Sequence, residues 1–168
     1  MILSVERLRE LLPSETESMS DDGIRDKLES LETLIRKYTN NNFQVRSIRT
    51  TGEIVDCELT FDKTRFKDGD TFQISQSLYN DGVYTVGETY DFIDESGVLI
   101  TKVVYPPDVV MGAVNLFKWE TQNREKVGVK SESLSRYSVT YYDLETSSVM
   151  GYPKGLMAFL KPYMRAKF

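Results

Sequence analysis

Asp68 and Asp70 flank Gly69, a spacing found at the start of calcium loops. The further oxygen ligands and the terminal Glu that an EF-hand needs do not follow, so the three residues read as a turn. The lone Cys57 permits neither an intrachain disulfide nor a thiolate metal cluster. It lies in an alternating run in which Val55, Cys57, Leu59 and Phe61 share one parity, so it is expected on the apolar face of a single half-buried strand. The chain has no histidine. That removes the Ser-His-Asp triad, the Cys-His dyad and every imidazole metal ligand. Glycine-rich phosphate loops are missing. Paired carboxylates brought together in space are the one common catalytic device left open. The commonest tools of catalysis and of metal binding are thus missing, while an enzyme built on paired acids stays open.

The 168 residues carry a net charge of −5, distributed unevenly. Residues 1–40 carry −3, residues 41–105 carry −5, and residues 106–168 carry +3. No acidic side chain follows Glu145, whereas Lys154, Lys161, Arg165 and Lys167 do. An acidic body with a basic tail lacks the broad basic face of a general nucleic-acid binder and suits docking of the tail on an acidic protein. The same cations also suit the end of a helix. No apolar run spans a bilayer and the N-terminus lacks a secretory pattern, so a soluble protein in a reducing cytoplasm is expected.

The elements that position these residues fall into three stretches. Ser4 caps a short helix that Pro13 stops, and Pro13 to Met19 read as a linker. Ser20 caps a longer helix to Tyr38, with Ile24, Leu28, Leu31 and Ile35 along one face, and Asn40-Asn41-Asn42 ends it. From Phe43 to Tyr105 about six short strands are expected, including Thr71–Ser75, Val83–Val86, Tyr90–Ile93 and Val98–Val104, separated by turns. The aromatics of this segment (Phe61, Phe66, Phe72, Tyr79, Tyr84, Tyr90, Phe92) suit core packing, or base stacking in a small nucleic-acid-binding module, the alternative function. Pro107 opens an apolar helix that contains Trp119. An exposed loop from Arg124 to Ser133 and a short strand around Tyr137, Val139 and Tyr141 follow. Tyr152-Pro153 then opens a final helix. The fold class is α+β: about four helices, from 1–42 and 106–168, with a small antiparallel β unit, 43–105, inserted between them.

The run Gly128-Val129-Lys130-Ser131-Glu132-Ser133-Leu134-Ser135-Arg136-Tyr137-Ser138-Val139-Thr140-Tyr141 lies between the apolar helix and Tyr152-Pro153. This order resembles the head–tail connector (adaptor, or head-completion) proteins of long-tailed bacteriophages and their prophages. The resemblance covers roughly 1–42 and 106–168, while Gly69–Ile74 and Asn80–Val86 resemble insertions in some relatives. It implies a structural virion protein, assembled in the host cytoplasm, that forms a ring, commonly of twelve subunits, beneath the portal protein. Many such subunits stay monomeric until they dock; the ring extends the channel through which genomic DNA passes without sequence-specific contact and provides the platform for a stopper or tail-completion protein, a non-enzymatic role without cofactor or metal. It touches no membrane.

By the same resemblance the portal is met by the terminal segment, with Tyr152, Lys154, Leu156, Phe159, Leu160, Lys161, Tyr163 and Arg165 as candidate contacts. Lys126, Lys130, Glu132, Arg136, Tyr137, Val139 and Tyr141 would face neighbouring subunits or the channel. The isolated basic character of the tail makes it separable: a chain ending before Tyr152 is expected to keep a folded core and lose docking.

Overall fold

The computed structural model describes residues 1–123 and 148–166, and the backbone alone of 131–134 and 137–140. Ser4 caps helix α1 (Val5–Leu11) by accepting from the Arg7 amide at 3.2 Å. Pro13 does more than end α1. Its fixed φ and missing N–H suit a first helical position, and it opens the one-turn helix α2 (Pro13–Thr16), so the expected linker is partly helical. Arg9 ties this corner together, donating to the Thr16 and Met19 carbonyls at 2.8 Å each and to the Asp21 carboxylate at 2.6 Å. Ser20 caps α3 (Asp21–Thr39), accepting from Gly23 at 3.2 Å. Asn40 closes it in the left-handed conformation, φ 50°, which Asn tolerates better than most residues.

The chain then leaves the helices and forms five antiparallel strands: β1 (Gln44–Val55), β2 (Glu58–Phe61), β3 (Thr71–Ser75), β4 (Gly82–Thr85) and β5 (Glu95–Val103). Their order across the sheet is β2-β1-β5-β3-β4. One strand fewer forms than the sequence suggests, because residues 90–94 do not pair as a strand. There the backbone of Ile93 is instead taken by the buried Asn80 side chain, at 2.8 and 2.9 Å.

The alternating run around Cys57 is also corrected. It is a hairpin rather than one strand. Val55 pairs with Glu58, and the two-residue turn Asp56-Cys57 has positive φ at both positions, 52° and 64°. The turn breaks the parity: Ile54, Leu59 and Phe61 face the core, while Val55 and Cys57 are exposed.

Helix resumes at α4 (Pro107–Asn123), with Pro107 in its first position. Backbone pairing continues in the hairpin β6 (Ser131–Leu134) and β7 (Tyr137–Thr140), so part of the expected loop is strand. Tyr152-Pro153 does not open a helix. It forms β9 (Tyr152–Pro153), paired with β8 (Ser148–Val149), and the terminal helix is a 3₁₀ segment, Ala158–Tyr163. The molecule is thus mixed α+β.

Two apolar cores result. One joins Leu8, Ile24, Leu28, Leu31 and Ile35 to Val109, Ala113, Leu116, Phe117 and Leu160. The other lies against the sheet and contains Ile54, Phe66, Phe72, Ile74, Phe92, Val98 and Ile100. They meet at the root of the β segment, where Gln44 pairs with Val103 and the Val104 amide donates to the Phe43 carbonyl at 3.0 Å.

A polar network crosses the same seam. The Tyr105 hydroxyl donates to Glu32 at 2.6 Å, and Arg36 donates to Gln73 at 2.6 Å and to the Tyr105 oxygen at 3.4 Å. The Met1 ammonium donates to Thr71 and Thr85 at 3.0 and 3.1 Å. Among the described residues no buried side-chain polar atom lacks a partner. The cost of burying these groups is thereby offset, and the network fixes α3 on β3.

Burial and the nearby Glu32 carboxylate push the Tyr105 phenol up. Tyr105 stays protonated in the folded chain at pH values that ionise it unfolded. Its contribution is complete below its ordinary pKa of about 10 and is lost as pH rises through the higher folded value. Tyr105→Phe leaves Glu32 with only the more distant Met1 ammonium, at 3.9 Å, and is expected to lower stability by about 1–2 kcal/mol at neutral pH. It should also flatten the loss of stability in alkali, read from urea midpoints at neutral and alkaline pH.

Candidate functional site

The C-terminal segment is laid down residue by residue on the helical core. Tyr152 is buried, its ring 5.4 Å from that of Trp119 and its hydroxyl donating to Glu120 at 2.9 Å. Phe159 lies over Gly112 of α4. A Cβ there would come within 2.2 Å of the ring, so glycine is what lets the tail approach this closely. Met157 and Leu160 are fully enclosed, and Leu156 packs at the edge of the same core.

Tyr163 donates to the Asp108 carboxylate at 2.8 Å, and that carboxylate pushes its phenol up. Its ring also lies 5.9 Å from Phe43. The end of the tail is tied to the end of α3 by backbone. The Arg165 amide donates to the Thr39 carbonyl at 2.8 Å, and Asn41 and Asn40 donate to the carbonyls of Tyr163 and Ala166 at 3.2 and 2.8 Å.

The eight candidate tail residues therefore divide. Tyr152 and Leu160 are core, and Leu156, Phe159 and Tyr163 are half-buried against it. Lys154, Lys161 and Arg165 face solvent, beside the half-exposed Met150 and Met164. The stretch 148–166 contains no acid, so this outer face is basic and partly apolar. The tail is a structural part of the helical layer rather than a separable appendage, because its apolar side completes the core.

Of the other candidate set, Glu132, Tyr137 and Val139 lie on the β6–β7 hairpin, where Glu132 pairs with Val139 and Tyr137 with Leu134 through the backbone. Lys126, Lys130, Arg136 and Tyr141 lie outside the described residues.

The aromatics of the β segment pack on one another edge-on or tilted in the sheet's core, as the core-packing reading expects, rather than lying open for bases. Phe61 meets Phe66 and Phe72 at 5.2 and 5.5 Å, and Tyr84 meets Tyr90 and Phe92 at 4.9 and 5.0 Å. Phe66, Phe72 and Phe92 are buried, and Tyr79 alone of the seven is largely exposed. A cleft of about 220 Å³ lies beside this cluster, lined by Leu59, Phe61, Phe72, Tyr90 and Phe92 with Cys57 and Glu88 among its polar walls. Burial and a hydrogen bond to Glu88 push the Tyr90 phenol up to about 12, so it is a poor acid at neutral pH. Among the described residues no three His, Cys, Asp or Glu side chains are placed to hold a metal, and Asp70 is engaged by Lys102. No described helix is long and apolar enough to cross a membrane.

A second surface lies at the far end of the β segment and was not singled out in the sequence. Val55, Leu78, Tyr79 and Ile93 are 57%, 82%, 64% and 53% exposed. They are brought together by the Asp56-Cys57 turn, the 76–81 loop and the 91–95 connection. The Cys57 amide donates to Asp94 at 2.9 Å, the Leu78 amide to Glu95 at 2.9 Å, and Asn80 bridges to Ile93. The available signal was Leu78-Tyr79 itself, two large apolar residues inside a turn otherwise built from Ser, Asn, Asp and Gly.

No known family model matches the chain, and no curated protein sequence is significantly similar to it.

The division of the tail has a direct consequence for stability. Leu160→Ala should cost about 2–5 kcal/mol through the cavity it leaves. A chain ending at residue 147 loses Tyr152, Met157 and Leu160 together. It is expected to show no cooperative melting by circular dichroism, whereas neutralising Lys161 and Arg165 should leave the melt unchanged.

Proposed function

We propose that the chain is a non-enzymatic structural subunit, a head–tail connector that forms a ring under the portal of a long-tailed phage and carries the stopper or tail above the DNA channel. The observation that supports this reading best is the order of elements in the C-terminal half. An apolar helix is followed by a hairpin, and then by a short terminal segment packed back across two helices with a basic outer face. The resemblance to connectors rests on a similar order, an apolar helix, the run from Gly128 to Tyr141, and a terminal segment after Tyr152-Pro153.

The buried chemistry of the chain supports the same reading. The titratable groups buried in the seam, Glu32, Arg36 and Tyr105, bond to one another and to Gln73 rather than facing a cleft. They hold two layers together. The surfaces left over are an acidic sheet unit, which repels DNA phosphates, and exposed apolar groups at two separate places. Such surfaces suit contact with other proteins.

The test is binding to the portal protein encoded in the same genome. Purified chain and portal rings should co-sediment, with multiple copies of the chain per portal ring by native mass spectrometry. Absence of binding overturns the proposal. The nucleic-acid alternative gives the opposite pattern. The connector reading expects a flat anisotropy titration with single-stranded DNA at low salt, and salt-sensitive binding would favour the alternative.

A further inference from the structure

The exposed apolar group at the tip of the β segment sits in a strongly acidic setting. The three stretches that build the tip, 54–60, 76–82 and 91–97, contain Asp56, Glu58, Asp81, Asp91, Asp94 and Glu95 and no Lys or Arg. The tip is held in shape. Ser77 accepts from the amides of Tyr79 and Asn80 at 3.2 and 2.7 Å, its own amide donates to Asp81 at 2.9 Å, and its hydroxyl donates to Glu95. Tyr84 donates to the Asn80 carbonyl at 2.9 Å. Leu78 and Tyr79 are thus fixed outward, and little further ordering is needed to bury them against a partner.

The complementary surface is present on the same chain. The outer face of the tail is basic through Lys154, Lys161 and Arg165, with no acid of its own between 148 and 166 and Asp108 of α4 beside it at Tyr163, and it is partly apolar through Met150 and Met164. Within one molecule the two cannot meet. The tail is bound at the root of β1, where Arg165 pairs with Thr39 and Tyr163 with Asn41, and the tip is at the other end of that strand. The nine residues of β5, which run beside β1 from tip to root, at about 3.3 Å each set them on the order of 30 Å apart.

We infer that the acidic, apolar tip of one subunit seats on the basic outer face of the tail of a second copy of this chain. The contact is head-to-tail, so each subunit uses both surfaces and repetition closes into a ring or runs on as a filament. The inference rests on the ring reading and deepens it. In this arrangement the tail cations act between subunits, and the portal contact falls to another surface.

The experiment is zero-length carbodiimide cross-linking of the wild-type chain, both free and bound to portal rings, mixed from two isotopically distinct preparations so that links between copies are identified by mass. Hybrid links should join Lys154 or Lys161 to Asp56, Glu58, Asp81, Asp91 or Asp94. Their yield should fall roughly tenfold in the double variant Leu78→Ser, Tyr79→Ser, and likewise in high salt. A second measurement uses the native thiol. In the Met164→Cys variant, with diamide added as the two-electron oxidant that is reduced to its hydrazine, the introduced thiol should form a disulfide with Cys57 of another copy, and adding Cys57→Ser to that background should abolish it.

Hybrid links that map elsewhere, or none at all, overturn the contact. So does loss of portal binding on Lys161→Gln, Arg165→Gln with the tip links intact, which would assign the tail to the portal. The ring reading fails separately. Tip-to-tail links in open chains that never bind a portal would keep the contact and refute the connector.

Discussion

The structure depends on one closure. The chain leaves α3 at Phe43, runs through five strands, and returns at Val104 beside the point where it left, with the Val104 amide bonded to the Phe43 carbonyl. Because β1 and β5 are antiparallel neighbours in the middle of the sheet, the β segment enters and exits through a single doorway. The helices on either side can then pack together as if the intervening residues were a loop. Phe43 and Val103 belong to the helical core, while Val98 and Ile100, further along β5, belong to the sheet's own core. One pair of strands thus feeds two cores.

The polar seam acts at the same place and supplies direction. Apolar contact alone would let the sheet slide over α3. Glu32, Arg36, Tyr105, Gln73 and the two threonines Thr71 and Thr85 admit one register, because each lost bond would strand a buried polar group. Fixing the sheet on the helices also fixes where its far end points, and that end bears the exposed apolar tip. A stiff arm with a defined direction is what a subunit needs if its contacts are to repeat identically around a symmetric assembly.

Much of this is legible in the amino-acid sequence. Ser20, the Ile24-Leu28-Leu31-Ile35 face and Pro107 mark both long helices because caps and periodicity act locally. Three features were not legible, each for a physical reason. Alternation carries on across a two-residue turn, so Val55 to Phe61 reads as one strand although the Asp56-Cys57 turn reverses it and turns Cys57 outward. Tyr90 to Ile93 has strand composition, but Asn80, distant in sequence, takes the Ile93 backbone. The tail reads as a charged appendage because charge is visible residue by residue. Its role in the core depends on Gly112 and Phe159 meeting across about half a hundred positions, which no local pattern records. Of the solvent-facing groups, the cations of the tail and Tyr79 are readable in the sequence, whereas Val55 and Ile93 sit among ordinary strand residues and give no local sign of exposure.

The most direct measurement is a reconstruction of the capsid vertex of the virion by electron cryomicroscopy. A ring of this fold beneath the portal is the expected result, with one β segment per subunit reaching its neighbour. A vertex whose densities are all accounted for by other chains, with this protein absent from the particle, contradicts it.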